Sequence, residues 1–218
     1  VTPITTEEAA AIERYIAGIE TRTGVQIVAA VMPRSDLYPE LPWRAFALGA
    51  ALAALIGLVI DVGRPDWLSA RGLLLQTLFV LGGGAVAGLA AARIDGFAKL
   101  FLGAARVKTE VRQCAESLFL SREMFKTPRR DAVLLLVSQF ERRVVVVPDV
   151  HYRGRVTHED WEGVVAQMTP ELREGRTVEA FTIGLAAIES VIVAKGSATP
   201  AGERENLLPD ALLRGEQP

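Results

Sequence analysis

Cysteine is all but missing from this chain. Cys114 stands alone, which excludes an intramolecular disulfide and a cysteine-built zinc site and fits a reducing compartment. A surplus of charge of one sign is missing too: 24 Lys and Arg meet 26 Asp and Glu, so no strong field points to nucleic acid as a partner. Aromatics are scarce, at 6% against 50% hydrophobic residues, while the mean hydropathy of +0.26 is high for a soluble protein. That mismatch points to lipid. The opening stretch VTPITTEEAAAIERYIAG is polar and helical, without the basic segment and apolar core of a signal peptide. Also lacking are a G-x-S-x-G elbow, a G-x-x-x-x-G-K phosphate loop and an H-E-x-x-H zinc helix, which removes the common hydrolase and nucleotide-binding signatures.

What the chain does have is two long apolar runs. AFALGAALAALIGLVI, Ala45 to Ile60, and GLLLQTLFVLGGGAVAGLAAA, Gly72 to Ala92, each approach the span of a bilayer and carry no polar stripe at helical period. Trp43 and Trp67 sit at positions suited to interfacial anchors. The short connector makes a transmembrane hairpin of residues 43–92 and returns the chain to its starting side, so the polar segments before and after it share one compartment. Arg34, Arg44, Arg93, Lys99, Arg106 and Lys108 flank the hairpin, against Arg64 and Arg71 in the connector. By the positive-inside rule the polar part faces the cytoplasm of a multi-pass inner-membrane protein. Gly49, Ala53 and Gly57, and then Gly84, Gly88 and Ala92, form small-residue faces for packing the hairpin on itself or for a homodimer.

The polar segments divide at the same boundaries. Residues 1–42 hold a helix opened by a Thr5–Glu8 capping box, with Ile12, Ile16 and Ile19 on one face and a stop at Gly24. The strand VQIVAAVM, Val25 to Met32, and a proline-containing link follow. Residues 93–196 begin with one long amphipathic helix, FAKLFLGAARVKTEVRQCAESLF. Next comes VLLLVSQFERRVVVVPD, Val133 to Asp149, whose apolar runs are too short for a membrane and match strands buried on both faces, joined by a hairpin turn at SQFERR. A helix capped by Thr157 and Asp160, broken or kinked by Pro170 and ended by Gly175, precedes another from Thr177 to Gly196. The tail, 197–218, is polar with scattered prolines and is expected to be loosely ordered. The fold class is therefore α/β: a three-layer helix–sheet–helix sandwich with a small mixed sheet, interrupted by a two-helix transmembrane hairpin.

The order RTGVQIVAAV, VLLLVSQFERRVVVVPD, VTHEDWEGVVAQMTPELREGRTVEAFTIGLAAI resembles the TPM-domain family, in particular bacterial members whose domain is split by a membrane hairpin. The pieces that carry it are RTG before the first strand, the FERRV elbow, and the tryptophan followed by LREG. The resemblance implies a helix–sheet–helix sandwich attached to a membrane. One branch of the family is associated with acid phosphatase activity and photosystem repair and another with modulation of a membrane receptor; the shared theme is assistance to membrane proteins. This chain has VTPITTEE where one form of the family carries an Asn-Asp pair, a departure that weakens any transfer of that form's metal binding or phosphatase chemistry.

Two clusters are candidates for function. In DVHYRGRVTHEDW a divalent cation (calcium, magnesium or manganese) could use the carboxylates and a transition metal the imidazoles, which gives Asp149, His151, His158 and Glu159 as metal ligands. Arg153 and Arg155 could hold a phosphate. The plainer reading is that Asp149 closes a strand, Thr157 and Asp160 cap a helix, and the histidines are solvated. Glu141, Arg142 and Arg143 in the elbow read as an ordinary charged turn or, with Asp149, His151 and Arg153, as a docking surface. Two functions follow. The first is a membrane-tethered module, partnered by the lipid bilayer and by another membrane protein, which assists that protein's assembly, repair or regulation without catalysis of its own. The alternative is a divalent-metal-dependent phosphatase at the membrane surface.

Overall fold

A computed structural model describes residues 4–63, 69–198, 208 and 211–215. Arg64 and Trp67 of the connector lie outside the described residues. The chain divides into two compact units, Val1–Asp36 with Val107–Pro218, and Leu37–Arg106.

The first unit is built on a four-stranded mixed sheet of order β3-β2-β1-β4. Helix α1 (Thr6–Thr23) opens on the expected capping box of Thr5 and Glu8 and closes on Gly24, whose φ of 65° is left-handed. Strand β1 (Gln26–Met32) runs parallel to β2 (Ala132–Ser138), and β2 pairs antiparallel with β3 (Arg143–Pro148) across the turn at residues 139–142. Every residue of β2 is buried, which is why that strand shows no polar alternation. Helices α6 (His158–Arg173) and α7 (Thr177–Ala194) join α1 on one face, packing Ile16, Ile19, Met168, Phe181, Leu185 and Ile188 against Ile27, Ala29, Val133 and Leu135. The alternate residues Val28, Ala30, Leu134 and Leu136 are equally buried on the other face. That layer is supplied by α5 (Ala104–Ser121), which buries Val107, Val111, Ala115 and Phe119.

Three local expectations need correction. The long helix read after the hairpin is broken: α4 (Asp95–Ala98) and a 3-10 turn, Lys99–Phe101, precede α5. Gly103 sits in the break, where its weak helix propensity lets the chain leave the helix. Pro170 does not end α6, which continues to Arg173; a proline takes only its own N–H out of the helical ladder. The tail is not wholly irregular, because β4 (Leu213–Arg214) pairs parallel with β1. Leu212 is buried there, and its N–H donates to Glu13 at 3.0 Å.

The second unit consists of α2 (Glu40–Gly63), α3 (Ala70–Arg93), α4 and the 3-10 turn. Leu41, Ala45, Ala53 and Gly57 of α2 are buried, as are Gly84 and Ala91 of α3. A Cβ added at Gly49 would lie 2.6 Å from Ala87 Cβ, and one at Gly84 would lie 2.8 Å from the Phe46 ring, so the helices approach as closely as the small residues allow. Ala91, rather than the expected Ala92, continues this face because two turns of helix take seven residues and not eight. Leu48, Leu52, Leu55, Leu58, Leu74, Leu78 and Phe79 point away from the pair and are exposed. Among the described residues three helices are long and apolar enough to cross a membrane: α2, α3 and α7. α7 differs from the other two in packing Phe181, Leu185, Ile188 and Ile192, all fully buried, into the first unit's core.

Candidate functional site

Asp149 follows β3 directly. Because β3 is antiparallel, its carboxyl end lies beside the amino ends of β1 and β2, opposite the edge where parallel α/β sheets gather ligands. The Asp149 side chain is 2% exposed. It accepts from Arg130 Nε at 2.8 Å and from Nη2 at 2.9 Å, a bidentate pair, and from the Val150 N–H at 2.6 Å. The carboxylate draws the Arg130 guanidinium above its ordinary pKa, chiefly through these hydrogen bonds. Beside it the buried Tyr152 hydroxyl donates to the Asp131 carbonyl at 2.9 Å. Burial, with the Asp131 and Asp149 charges, pushes that phenol well above its usual range; it stays protonated and offers no base.

The other members of the expected metal set lie apart in their interactions. His151 stacks edge-on to Tyr152 with ring centroids 5.3 Å apart, and its Nε2 is 3.3 Å from Arg155. His158 Nε2 is 3.2 Å from Glu162, and Glu159 is exposed on the first turn of α6. Among the described residues no group of three or more His, Cys, Asp or Glu is placed to hold a metal ion, so Asp149, His151, His158 and Glu159 do not make one ligand set. The carboxylate that would anchor a cation is already spent on Arg130. Arg153 is exposed and Gly154, with φ of 79°, turns the loop. Thr157 and Asp160 form a capping box, and Asp160 also meets Lys195 Nζ at 2.8 Å.

The elbow is divided between structure and surface. Glu141 accepts from the Ser35 N–H at 2.9 Å and from the Ser138 hydroxyl, and Ser35 and Ser138 hydroxyls are 2.9 Å apart. These bonds tie the turn to the chain leaving β1. Cys114 lies near this network, where burial first and the Glu141 charge second raise its thiol above the ordinary range, the reverse of an activated thiolate. Arg142 takes a left-handed φ of 50° and donates to the Arg173 carbonyl at 3.0 Å. Arg143 is different. It begins β3 and, with Lys108 and Arg112 of α5, Val144–Pro148, and His158, Trp161, Glu162, Val165 and Ala166 of α6, lines a groove of about 560 Å³ along the sheet edge.

Composition and pattern could not show two features of this surface. Arg130 is the residue that neutralises Asp149, and the antiparallel register, which places Val133 opposite Pro148, is the signal that brings them together. Lys108 and Arg112 join Arg143 only through the packing of α5.

A mixed sheet covered by helices on both faces, with a polar loop closed by internal ion pairs and one open edge, defines an α/β sandwich domain with a surface groove. Residues 105–191 match the model of the TPM domain; β2 and β3 lie within that stretch, and their sheet is extended by β1 from ahead of the hairpin. In fold the chain is similar to the NMR structure of BA42 protein from the psychrophilic bacteria Bizionia argentinensis, with a TM-score of 0.58 and 13% sequence identity over 98% of this chain and 97% of that one. Among curated proteins none matches.

Proposed function

We propose that the protein is a membrane-tethered TPM-type interaction module, with its polar unit on the cytoplasmic side of an inner membrane, which assists the assembly, repair or regulation of a membrane protein. The observation that carries this reading is the α2–α3 hairpin. It is closed inwardly by glycine and alanine and faces outward with leucine, valine and phenylalanine. Each large side chain taken out of water is worth about 1.5–3 kcal/mol, so the hairpin is at rest only in lipid or against another apolar surface. The basic residues flanking it support the orientation. The donor geometry argues against the phosphatase alternative, because the buried carboxylate of the Asp149 loop is engaged by a bidentate arginine.

The test has two parts. Washing membranes with alkaline carbonate should leave the full-length chain in the pellet, and a reporter active only in the cytoplasm, fused at Pro218, should work while a periplasmic one stays silent. Release by carbonate would remove the tether; the opposite reporter pattern would reverse the orientation.

A further inference from the structure

The two edges of the sheet are treated differently by the chain. At one edge β1 is covered by β4, a strand of two residues, and short edge strands are a usual protection against pairing with other chains. At the other edge β3 runs for six residues, RVVVVP, about 20 Å of strand, with four consecutive valines and no charge between Arg143 and Pro148. Val145, Val146 and Val147 are only half-buried.

The backbone of that edge is also open. The Asp149 N–H donates to the Ala132 carbonyl at 2.9 Å, and β3 pairs with β2 in strict register. Antiparallel ladders alternate, so Asp149, Val147, Val145 and Arg143 turn their peptide groups toward β2, whereas Val144 and Val146 turn theirs outward. Pro148, also outward, has no N–H to leave unpaired.

The two walls of the groove differ in chemistry. Val144 and Val146 share a face with their partners Val137 and Leu135 in the α1–α6–α7 core, and beyond them the α6 wall is formed by Trp161, Val165 and Ala166. Val145, Val147 and Arg143 face the α5 side, where Lys108 and Arg112 stand. Arg112 is 2.7 Å from Glu116 and Glu162 pairs with His158, while Lys108 and Arg143 have no ion pair among the described residues. One wall is apolar apart from the His158–Glu162 pair, and the other is cationic.

We infer that β3 is the acceptor edge for strand addition by an extended acidic peptide segment of a partner protein, in which apolar residues facing α6 alternate with carboxylates facing Lys108 and Arg143. Strand addition takes affinity from main-chain bonds and specificity from alternate side chains. A second copy of this chain fits less well, because a two-fold pairing of β3 with itself brings the Lys108 and Arg112 wall against its own like charge. This inference rests on the interaction-module reading and names the surface that such a module would use.

The test uses the full-length chain in detergent micelles or lipid nanodiscs and fluorescein-labelled peptides of the pattern Val-Glu-Val-Glu-Val-Glu. Saturable binding is expected. It should weaken at least tenfold for the Val-Lys counterpart, for a peptide N-methylated on alternate residues in the bonding register, and for K108E/R143E. Amide exchange at Val144 and Val146, and not at Val145, should slow on binding. Val146→Pro removes an outward N–H that β2 does not use, and should abolish binding while leaving the fold's circular dichroism intact; the N-methylated peptide makes the same test on unaltered protein. Binding indifferent to peptide charge or N-methylation would overturn the inference. So would no binding, or slowed exchange at these amides that depends on protein concentration alone, which would assign the edge to a second copy. If peptide binding fails while the chain remains carbonate-resistant with a cytoplasmic terminus, the edge assignment falls and the tether stands. If the peptide binds but carbonate releases the chain, the membrane reading falls instead.

Discussion

Removing the Asp149 carboxylate should cost stability through one partner, Arg130, and a double-mutant cycle can isolate that term. The guanidinium supplies two charge-assisted bonds at 2.8 and 2.9 Å, and hydrogen bonds to charged groups contribute about 1.5–3 kcal/mol each. The Asp149 side chain is 2% exposed but that of Arg130 is 47% exposed, so solvent screens one partner and a coupling below the sum of the two bonds, about 2 kcal/mol, is expected. Asp149→Asn keeps the acceptor for the Val150 N–H and turns an amide donor toward a guanidinium, for a loss of about 2–3 kcal/mol. Arg130→Ala strands a buried carboxylate and should cost about 3 kcal/mol. The double variant should cost about the same as Arg130→Ala alone. Thermal unfolding of the full-length chain in one detergent supplies all four values, with added manganese, magnesium or calcium producing no stabilisation. Strict additivity of the two substitutions, with coupling below about 0.5 kcal/mol, would refute the ion-pair account. A divalent-ion stabilisation lost in Asp149→Asn would restore the metal reading.

Two further outcomes follow from packing and charge. A Cβ at Gly184 would lie 2.3 Å from Met168 Sδ, and Met168 is wholly buried; Gly184→Ala should therefore destabilise the domain by about 1–3 kcal/mol, and an unchanged melting temperature would contradict the described contact of α6 with α7. Lys195, then the Thr157 backbone and hydroxyl, hold Asp160 down from 3.8 to about 2. Its contribution to stability is therefore fully present above pH 3.8 and is lost as pH falls through 2. Lys195→Met should move the Asp160 carboxyl titration, followed by NMR, upward toward 3.8, and an unmoved midpoint would remove the Lys195 contact.

Legibility in the sequence tracked how local each cause was. The Thr5 and Thr157 caps, the left-handed Gly24 stop, the β2–β3 hairpin and the two apolar helices each depend on a few adjacent residues, and all take the expected form. β4 was hidden because two residues in a polar tail carry no period, and pairing with β1 depends on contacts nearly two hundred residues away, such as Leu212 with Glu13. The Asp149 loop showed its carboxylates and histidines to a reader of sequence, but whether they are free depends on what the antiparallel register brings opposite. Arg130 supplied that answer. Of the elbow, Glu141 turned inward to Ser35 and Ser138, and Arg143 alone faces a groove whose other wall charges come from a separate helix.

Within the second unit, the two ends of the inserted segment meet. Arg106 Nε lies 3.0 Å from Glu40 Oε1, Arg44 donates to the Phe101 carbonyl at 3.1 Å, and Tyr38 is fully buried beneath the Arg106 side. To a folding chain, the span from Leu37 to Arg106 therefore behaves less like a long loop than like a clasp. Closing an unstructured loop of that length rather than one of about five residues would cost about 2 kcal/mol more in chain entropy. A hairpin that closes on itself removes most of that difference. β1 and β2, neighbours in the sheet, are separated in the chain by this whole segment. The closed hairpin thus lowers the entropic cost of pairing two strands that stand far apart in the sequence.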